Sequence, residues 1–183
     1  MSPIAKDYDK FIYSINTGTY EGTKNVYLKA IDYKSLEAIR VCPVYKENAV
    51  LSSARLYGGK ADEVTPGNTG TPTVTKNYIN NTHMGMTLKY ENVDFVSDID
   101  TIRWNTATTK AWAPLQAEVY LDSLDSTPIA TIDIVSTGKW DTFVTQERKL
   151  SDELHIKGVH DVYIKFITNN KTCNFHWIDF VCR

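Results

Sequence analysis

One tryptophan stands where its side chain could contact a ligand. Trp140 lies two residues after Gly138, in a junction between two apolar segments, and the preceding Thr137-Gly138 pair is a turn signal. A turn at this point would hold the indole out of the protein interior. An exposed, rigidly held aromatic ring can stack on an apolar molecular face. The segment therefore predicts binding by stacking.

Catalytic residue types are present, but they lack the spacing that catalysis requires. Glu118 and Asp122 are four residues apart on a predicted strand, which places them about 13 Å apart at the strand rise of about 3.3 Å per residue. Two carboxyl groups that hydrolyse a glycosidic bond must lie closer together. The sequence contains no serine nucleophile elbow, no phosphate-binding loop and no histidine pair at metal-ligand spacing. We therefore expect no enzymatic activity, and a small glycoside hydrolase remains an alternative.

Charge and hydropathy narrow the classes of partner. The 183 residues carry a net charge of −2 at pH 7, which gives no reason to expect nucleic acid or an anionic membrane. No apolar run approaches the roughly 18 residues that suggest a membrane-spanning helix. Residues 1–7 do not have the apolar region of a signal peptide. The sequence thus predicts either a cytosolic protein or a piece of a secreted one.

The elements that must position these residues are predicted to be strands. Several short segments rich in Val, Ile, Tyr and Thr alternate or run apolar, with Gly, Asn, Asp or Lys between them. They cover residues 11–15, 26–31, 87–95, 116–121, 129–135, 159–167 and 174–181. A single helical turn over 150–156 is the only helical signal. Many short strands separated by turns predict an all-β protein, an antiparallel β-sandwich or jelly roll.

The cysteines give little information about function. Cys42, Cys173 and Cys182 do not have the spacing of a zinc site. Their odd number leaves at least one free thiol in a monomer. We expect free cysteines buried on strands, where a thiol behaves as a small apolar group, although a pairing is not excluded by the sequence.

An internal repeat bears on the domain organisation. Residues 8–42 and 140–182 contain similar aromatic and apolar patterns in the same order, with Tyr8 at the place of Trp140. The connecting lengths differ by a few residues, as loop lengths do among related structures. We interpret residues 1–46 as the last strands of a preceding, similar module and residues 47–183 as a complete one. Chance similarity between amphipathic strands is the alternative.

Four segments together resemble the family 6 carbohydrate-binding modules. Their order and spacing carry the resemblance, and they are residues 118–123, 136–143, 158–166 and 173–180. The resemblance implies a β-sandwich of the galactose-binding-domain type that binds polysaccharide or oligosaccharide. It also implies an extracellular location, as a module linked covalently to a catalytic domain of a secreted polysaccharide-degrading enzyme. A cell-surface adhesin or a structural sandwich without sugar binding remains an alternative.

The resemblance also implies a binding cleft on the loops that join the two sheets. The family forms it from two facing aromatic residues and an asparagine, and Trp140 and Asn174 match one aromatic residue and the asparagine. His176 shares a face with Asn174 if the strand is regular. Because the family usually has Asp or Asn at that position, a core or turn histidine is the alternative.

The sequence departs from the family at other site positions. The second cleft aromatic falls on Asn81, so Tyr78 or Trp112 would have to supply the second wall. A further family site on the concave sheet face needs an aromatic residue where Thr87 stands. Glu118 matches the acidic residue of that further site, and without the aromatic residue we expect it only to decorate its strand.

A structural calcium ion is the one cofactor that the resemblance implies. Calcium needs oxygen ligands, and the family supplies a glutamate from its first strand. Arg55 stands in that place and would repel the ion. Asp179 and backbone carbonyl groups could still bind one calcium ion, so the expectation stays open.

Overall fold

The structure is a computed structural model that describes part of the chain. Secondary structure is described for residues 10–12, 30–32, 39–41, 55–95 and 98–182, and side chains for residues 55–95 and 98–181. The chain forms two units, Met1–Ala38 and Ile39–Arg183. In the first unit, β1 (Lys10–Ile12) pairs antiparallel with β2 (Ala30–Asp32).

In its described residues, the second unit consists of strands, turns and one short 3₁₀ turn at Gly58–Lys60. The strands are β3 (Ile39–Val41), β4 (Leu56–Tyr57), β5 (Glu63–Thr65), β6 (Thr73–Val74), β7 (Ile79–Asn80), β8 (Thr87–Phe95), β9 (Ile99–Ala107), β10 (Leu115–Leu121), β11 (Ala130–Ile134), β12 (Val144–Lys149), β13 (Gly158–Phe166) and β14 (Asn174–Cys182). The predicted helical turn near residue 152 is a hydrogen-bonded turn, in which Leu154 N donates to Ser151 O. Among the described residues, no helix has the length and apolar character needed to cross a membrane.

The described strands of the second unit form two sheets. One has the strand order β11-β10-β13-β8-β3, with β5 also paired to β8; the other has the order β12-β9-β14-β7-β6, with β4 also paired to β14. In the described part of the chain every pairing except β3–β8 is antiparallel. The all-β prediction and the antiparallel β-sandwich are therefore confirmed.

Alternating side chains from both sheets fill the core. On β10, for example, Leu115, Ala117 and Val119 are buried while Gln116 is exposed. The alternation is the period of two that a strand with one solvated face requires. Across the interior, the rings of Phe95 on β8 and Phe180 on β14 meet edge to face at 5.1 Å. Burying such rings supplies the main favourable free energy of the sandwich.

The edge strand β12 was not predicted from the sequence. Residues 144–149 form β12, which pairs with β9 along its whole length. Five of its six residues are exposed, so the strand has almost no apolar pattern from which it could be recognised. Charged residues are typical of an edge strand, because they discourage pairing with another chain.

The boundary predicted at residue 46 stays a prediction. Within the predicted N-terminal piece, β3 pairs in parallel with β8, where Ile39 lies beside Val93 and Val41 beside Phe95. β3 is thus an edge strand of the second unit's first sheet.

Deletion of residues 1–38 is expected to leave a cooperatively folding protein, whereas deletion of 1–46 should also fold but melt at a lower temperature. The longer deletion removes β3 and its ladder hydrogen bonds to β8, each worth about 0.5–1.5 kcal/mol net. Differential scanning calorimetry of the two truncated proteins measures the difference. Equal melting temperatures would show that β3 adds nothing, and loss of the transition in the longer deletion would show that these strands complete the sandwich.

Candidate functional site

Two exposed tryptophans lie against each other at the loop end of the sandwich. The ring centroids of Trp112 and Trp140 are 6.4 Å apart, and the planes are inclined by 47°. Their exposed fractions are 40% and 36%. Large aromatic surfaces left in water commonly mark a binding site. We call this pair the tryptophan platform.

The Trp140 side of the platform is held by a tight turn. Gly138 has φ of +93°, a left-handed conformation that residues with a Cβ atom adopt only at a cost. Next to it, Thr137 N donates to Thr108 O at 2.9 Å, and Thr108 N donates to Thr137 Oγ1 at 3.0 Å. This reciprocal pair anchors the turn to the end of β9. The anchored turn explains why the indole projects from the surface, as the sequence predicts.

Asn174 supports the same segment from β14. Its amide Nδ2 donates to Trp140 O at 2.7 Å. The side chain therefore positions the main chain that carries the indole. Within the described residues its Oδ1 accepts no hydrogen bond, so this oxygen is available to a ligand.

The Trp112 side of the platform is held by a turn and by a lysine. Trp112 N and Ala113 N both donate to Thr109 O, each at 3.1 Å. Lys171 Nζ then donates to Ala111 O at 3.1 Å and to Ala113 O at 3.3 Å. Lys171 thereby closes the turn around Trp112. Sequence reasoning did not identify this lysine, because no local pattern relates it to a segment some 60 residues earlier.

Tyr78 and His176 lie together in a second group of rings. The His176 ring is 5.5 Å from Tyr57, 6.5 Å from Tyr78 and 5.1 Å from Phe143, and Tyr78 is 5.4 Å from Phe143. All four side chains are partly exposed. Tyr78 thus packs on Phe143, a residue that the sequence analysis did not single out. These four rings form one group, apart from the tryptophan platform.

His176 is held in one tautomer. Asn105 Nδ2 donates to Thr145 Oγ1 at 3.1 Å, so Asn105 Oδ1 faces the ring and accepts from His176 Nδ1 at 2.9 Å. Burial, and then the positive charge of Arg55, lowers the pKa of His176. The ring is therefore neutral at neutral pH, and its Nε2 carries a lone pair that can accept a hydrogen bond.

The two remaining predicted binding residues lie elsewhere. Asn81 follows β7 with φ of +54°, in a left-handed turn that asparagine tolerates. Glu118 lies on β10, which belongs to the other sheet, and accepts a hydrogen bond from Tyr120 OH at 2.5 Å. This hydrogen bond, with burial, raises the pKa of Tyr120 to about 12. Neither residue has a described contact with the tryptophan platform.

Asp179, the predicted calcium ligand, is fully buried and bound to arginine. Its two oxygens accept from Arg103 Nε and Nη2, each at 2.8 Å, and Arg55 Nε lies 3.7 Å from Oδ2. Calcium takes roughly six to eight oxygen ligands. In the described residues, no group of three or more His, Cys, Asp or Glu side chains could hold a metal ion. The residues around Asp179 do not fit a calcium ion.

Cys173 is a buried free thiol. Its Sγ lies 3.1 Å from Thr82 Oγ1, and burial raises the pKa of the thiol to about 12. Only the thiolate is an efficient nucleophile. Cys42 and the side chain of Cys182 lie outside the described residues, so the expectation of free cysteines stays a prediction for them.

Cys173 is accordingly expected to resist alkylation by iodoacetamide at pH 8 in the native protein. Peptide mapping by mass spectrometry should find the residue unmodified, and the same treatment in guanidinium chloride should modify it fully. Native alkylation at the rate of an exposed thiol would contradict the buried position.

Comparisons with known proteins agree with this fold. The family model described as carbohydrate binding module (family 6) matches residues 58–182. A family 6 module whose binding sub-sites were dissected by crystallography and calorimetry is similar to this chain at 24% identity and a TM-score of 0.59, and the match covers 70% of this chain and 93% of that one. CsCBM6-3 from Clostridium stercorarium in complex with cellobiose is similar at 22% identity and a TM-score of 0.58, over 70% of this chain and 93% of that one. A glycoside hydrolase family 43 arabinoxylan arabinofuranohydrolase from Bacillus subtilis in complex with cellotetraose is similar at 20% identity and a TM-score of 0.58, over 94% of this chain and 33% of that one. A search of curated proteins found no match.

Proposed function

The chain belongs to family 6 of the carbohydrate-binding modules, and from this premise we propose that it binds a polysaccharide or oligosaccharide on the tryptophan platform. The family is one of non-catalytic binding modules. The observation that carries the proposal is the pair of indoles, which contact each other and leave 36–40% of their surface exposed.

The geometry of the pair indicates how a sugar would bind. The ring centroids lie 6.4 Å apart, which is within the range of roughly 4.5–7 Å that is typical of a direct aromatic contact. No pyranose fits between two rings that already touch. The sugar would therefore lie across the outer faces of the indoles, with its apolar C–H face on the ring of Trp140.

Polar groups beside the platform would read the hydroxyl positions. Asn174 supplies its Oδ1 as an acceptor, and its Nδ2 remains committed to the Trp140 segment. Stacking on one exposed ring contributes roughly 1–3 kcal/mol, by analogy with nucleobases. The predicted roles of Tyr78, Asn81 and His176 in the cleft stay proposals, as does the match of Glu118 to the family's further site on the sheet face, and the tryptophan platform requires none of them.

We further propose that the module works outside the cell, linked to a catalytic domain that degrades the bound polysaccharide. In support, the arabinofuranohydrolase from Bacillus subtilis contains a region similar to this chain that amounts to 33% of its length. A binding module in such a protein raises the effective concentration of the enzyme at its substrate.

Retention on insoluble polysaccharides tests the proposed function. The protein should sediment with at least one of xylan, cellulose or β-1,3-glucan, without release of reducing ends, and soluble oligosaccharide should elute it. Reducing ends that increase with time would indicate catalysis instead. Failure to bind any glycan on a broad microarray would favour an adhesin or a structural sandwich.

A further inference from the structure

A buried carboxylate and two arginines on the outer face of the second sheet are left unexplained by sugar binding. We propose that Arg103, backed by Arg55, replaces a divalent cation as the positive partner of Asp179, so that this chain folds without calcium. The inference stands apart from the proposed function, since it concerns what holds strands β4, β9 and β14 together.

The first argument is the burial of Asp179. Its side chain is fully buried, and an ionised carboxylate in that environment is strongly unfavourable unless it is paired and hydrogen-bonded. Arg103 supplies both, through two parallel N–H···O bonds of 2.8 Å. Such a bidentate pair fixes orientation as well as charge. Arg103 therefore already supplies the positive charge that a metal ion would otherwise supply to this carboxylate.

The second argument is that the pair is built into the sheet. Arg103 on β9 and Asp179 on β14 are direct register partners, and side chains at directly opposed positions of adjacent strands lie close together. The backbone pairing thus places the guanidinium beside the carboxylate. The paired strands β9 and β14 therefore supply the positive partner of Asp179 from their own side chains.

The third argument is the position of Arg55. Its guanidinium lies 4.2 Å from the centroid of the Trp177 ring, and its Nε lies 3.7 Å from Asp179 Oδ2. Arg55 immediately precedes β4, which pairs with β14 through Leu56 and Ile178. This arginine stands where the family resemblance places an acidic residue. Two guanidinium groups at one carboxylate repel a divalent cation, and they leave it no set of oxygen ligands.

Thermal melting with and without calcium tests the proposal. The melting temperature of the wild-type protein should be the same in EDTA and in excess calcium chloride. Arg103→Gln should lower the melting temperature by about 5–10 °C, because it leaves a buried carboxylate without its charged partner. Arg103→Lys should melt between the wild type and Arg103→Gln, since it restores the charge without the bidentate geometry. Arg148→Gln, on exposed β12, is the matched control and should change the melting temperature by less than the Arg103 variants do.

Three results would overturn the proposal. The first is a wild-type melting temperature that rises with calcium or falls with EDTA, because a cation would then stabilise the fold. The second is an Arg103→Gln protein that melts like the wild type. The third is an Arg103→Lys protein that melts as low as Arg103→Gln, because charge would then not be what Asp179 needs.

Discussion

Replacement of Trp140 by alanine is expected to weaken glycan binding about ten- to a hundred-fold, with little change in stability. The indole is 36% exposed and its described ring contact is with Trp112, so the change removes a ligand-stacking surface and not a piece of the core. A stacking contribution of roughly 1–3 kcal/mol corresponds to that range of affinity. Isothermal titration calorimetry with an oligosaccharide of the retained polysaccharide measures it.

Three further variants make the expected result specific. Trp140→Phe keeps an aromatic surface and should lose less affinity than Trp140→Ala. Trp112→Ala should weaken binding too, and the loss in the double variant should differ from the sum of the two single losses, because residues in contact are coupled. Val159→Ala, an exposed residue on the other sheet, serves as the neutral control. A Trp140→Ala protein that unfolds, or that binds like the wild type, would place the sugar site elsewhere.

Phe180→Ala is expected to have the largest effect on stability, a loss of about 3–5 kcal/mol in the free energy of unfolding. Phe180 is completely buried, and its ring meets Phe95 of the opposite sheet edge to face at 5.1 Å. Its removal leaves a cavity between the sheets as well as losing the transfer free energy of the ring. Urea denaturation followed by intrinsic fluorescence measures the change.

A conservative companion separates cavity formation from other causes. Phe180→Leu keeps most of the apolar volume and should lose less stability than Phe180→Ala. Glycan binding by the folded fraction of either variant should remain close to that of the wild type, since the platform lies on the loops. An alanine variant as stable as the wild type would contradict the description of this core.

The strands themselves follow largely from the sequence. The alternation of Leu115, Ala117 and Val119 with polar residues predicts β10 from local information alone, because the period of two is a property of every strand. The polar sequence of β12 gives no such signal. Only its pairing with β9 identifies it as a strand, and that pairing is a long-range interaction that local sequence does not encode.

The candidate site likewise combines features that the sequence predicts with features that only the tertiary structure determines. The turn that carries Trp140 is predicted locally by Thr137-Gly138, and its anchoring to Thr108 at the end of β9 is a long-range contact. What lies around Trp140 is set by tertiary structure: Trp112 and Lys171 come from segments distant in sequence, and they meet only when the sheets are assembled. Sequence reasoning proposed Tyr78 and Trp112 equally as the second wall, and folding places Trp112 against Trp140.

The Arg103–Asp179 pair shows most clearly what the sequence alone could not predict. From the sequence, Asp179 is a carboxylate near the end of a strand and a candidate metal ligand, and Arg55 is a departure from a family pattern. The register between β9 and β14 puts Arg103 directly opposite Asp179. A shift of one residue in that pairing would move every side chain to the opposite face. The sequence thus supplies the ionisable side chain, whereas its burial, which creates the need for a charged partner, and the strand register that supplies this partner are both decided by the whole fold.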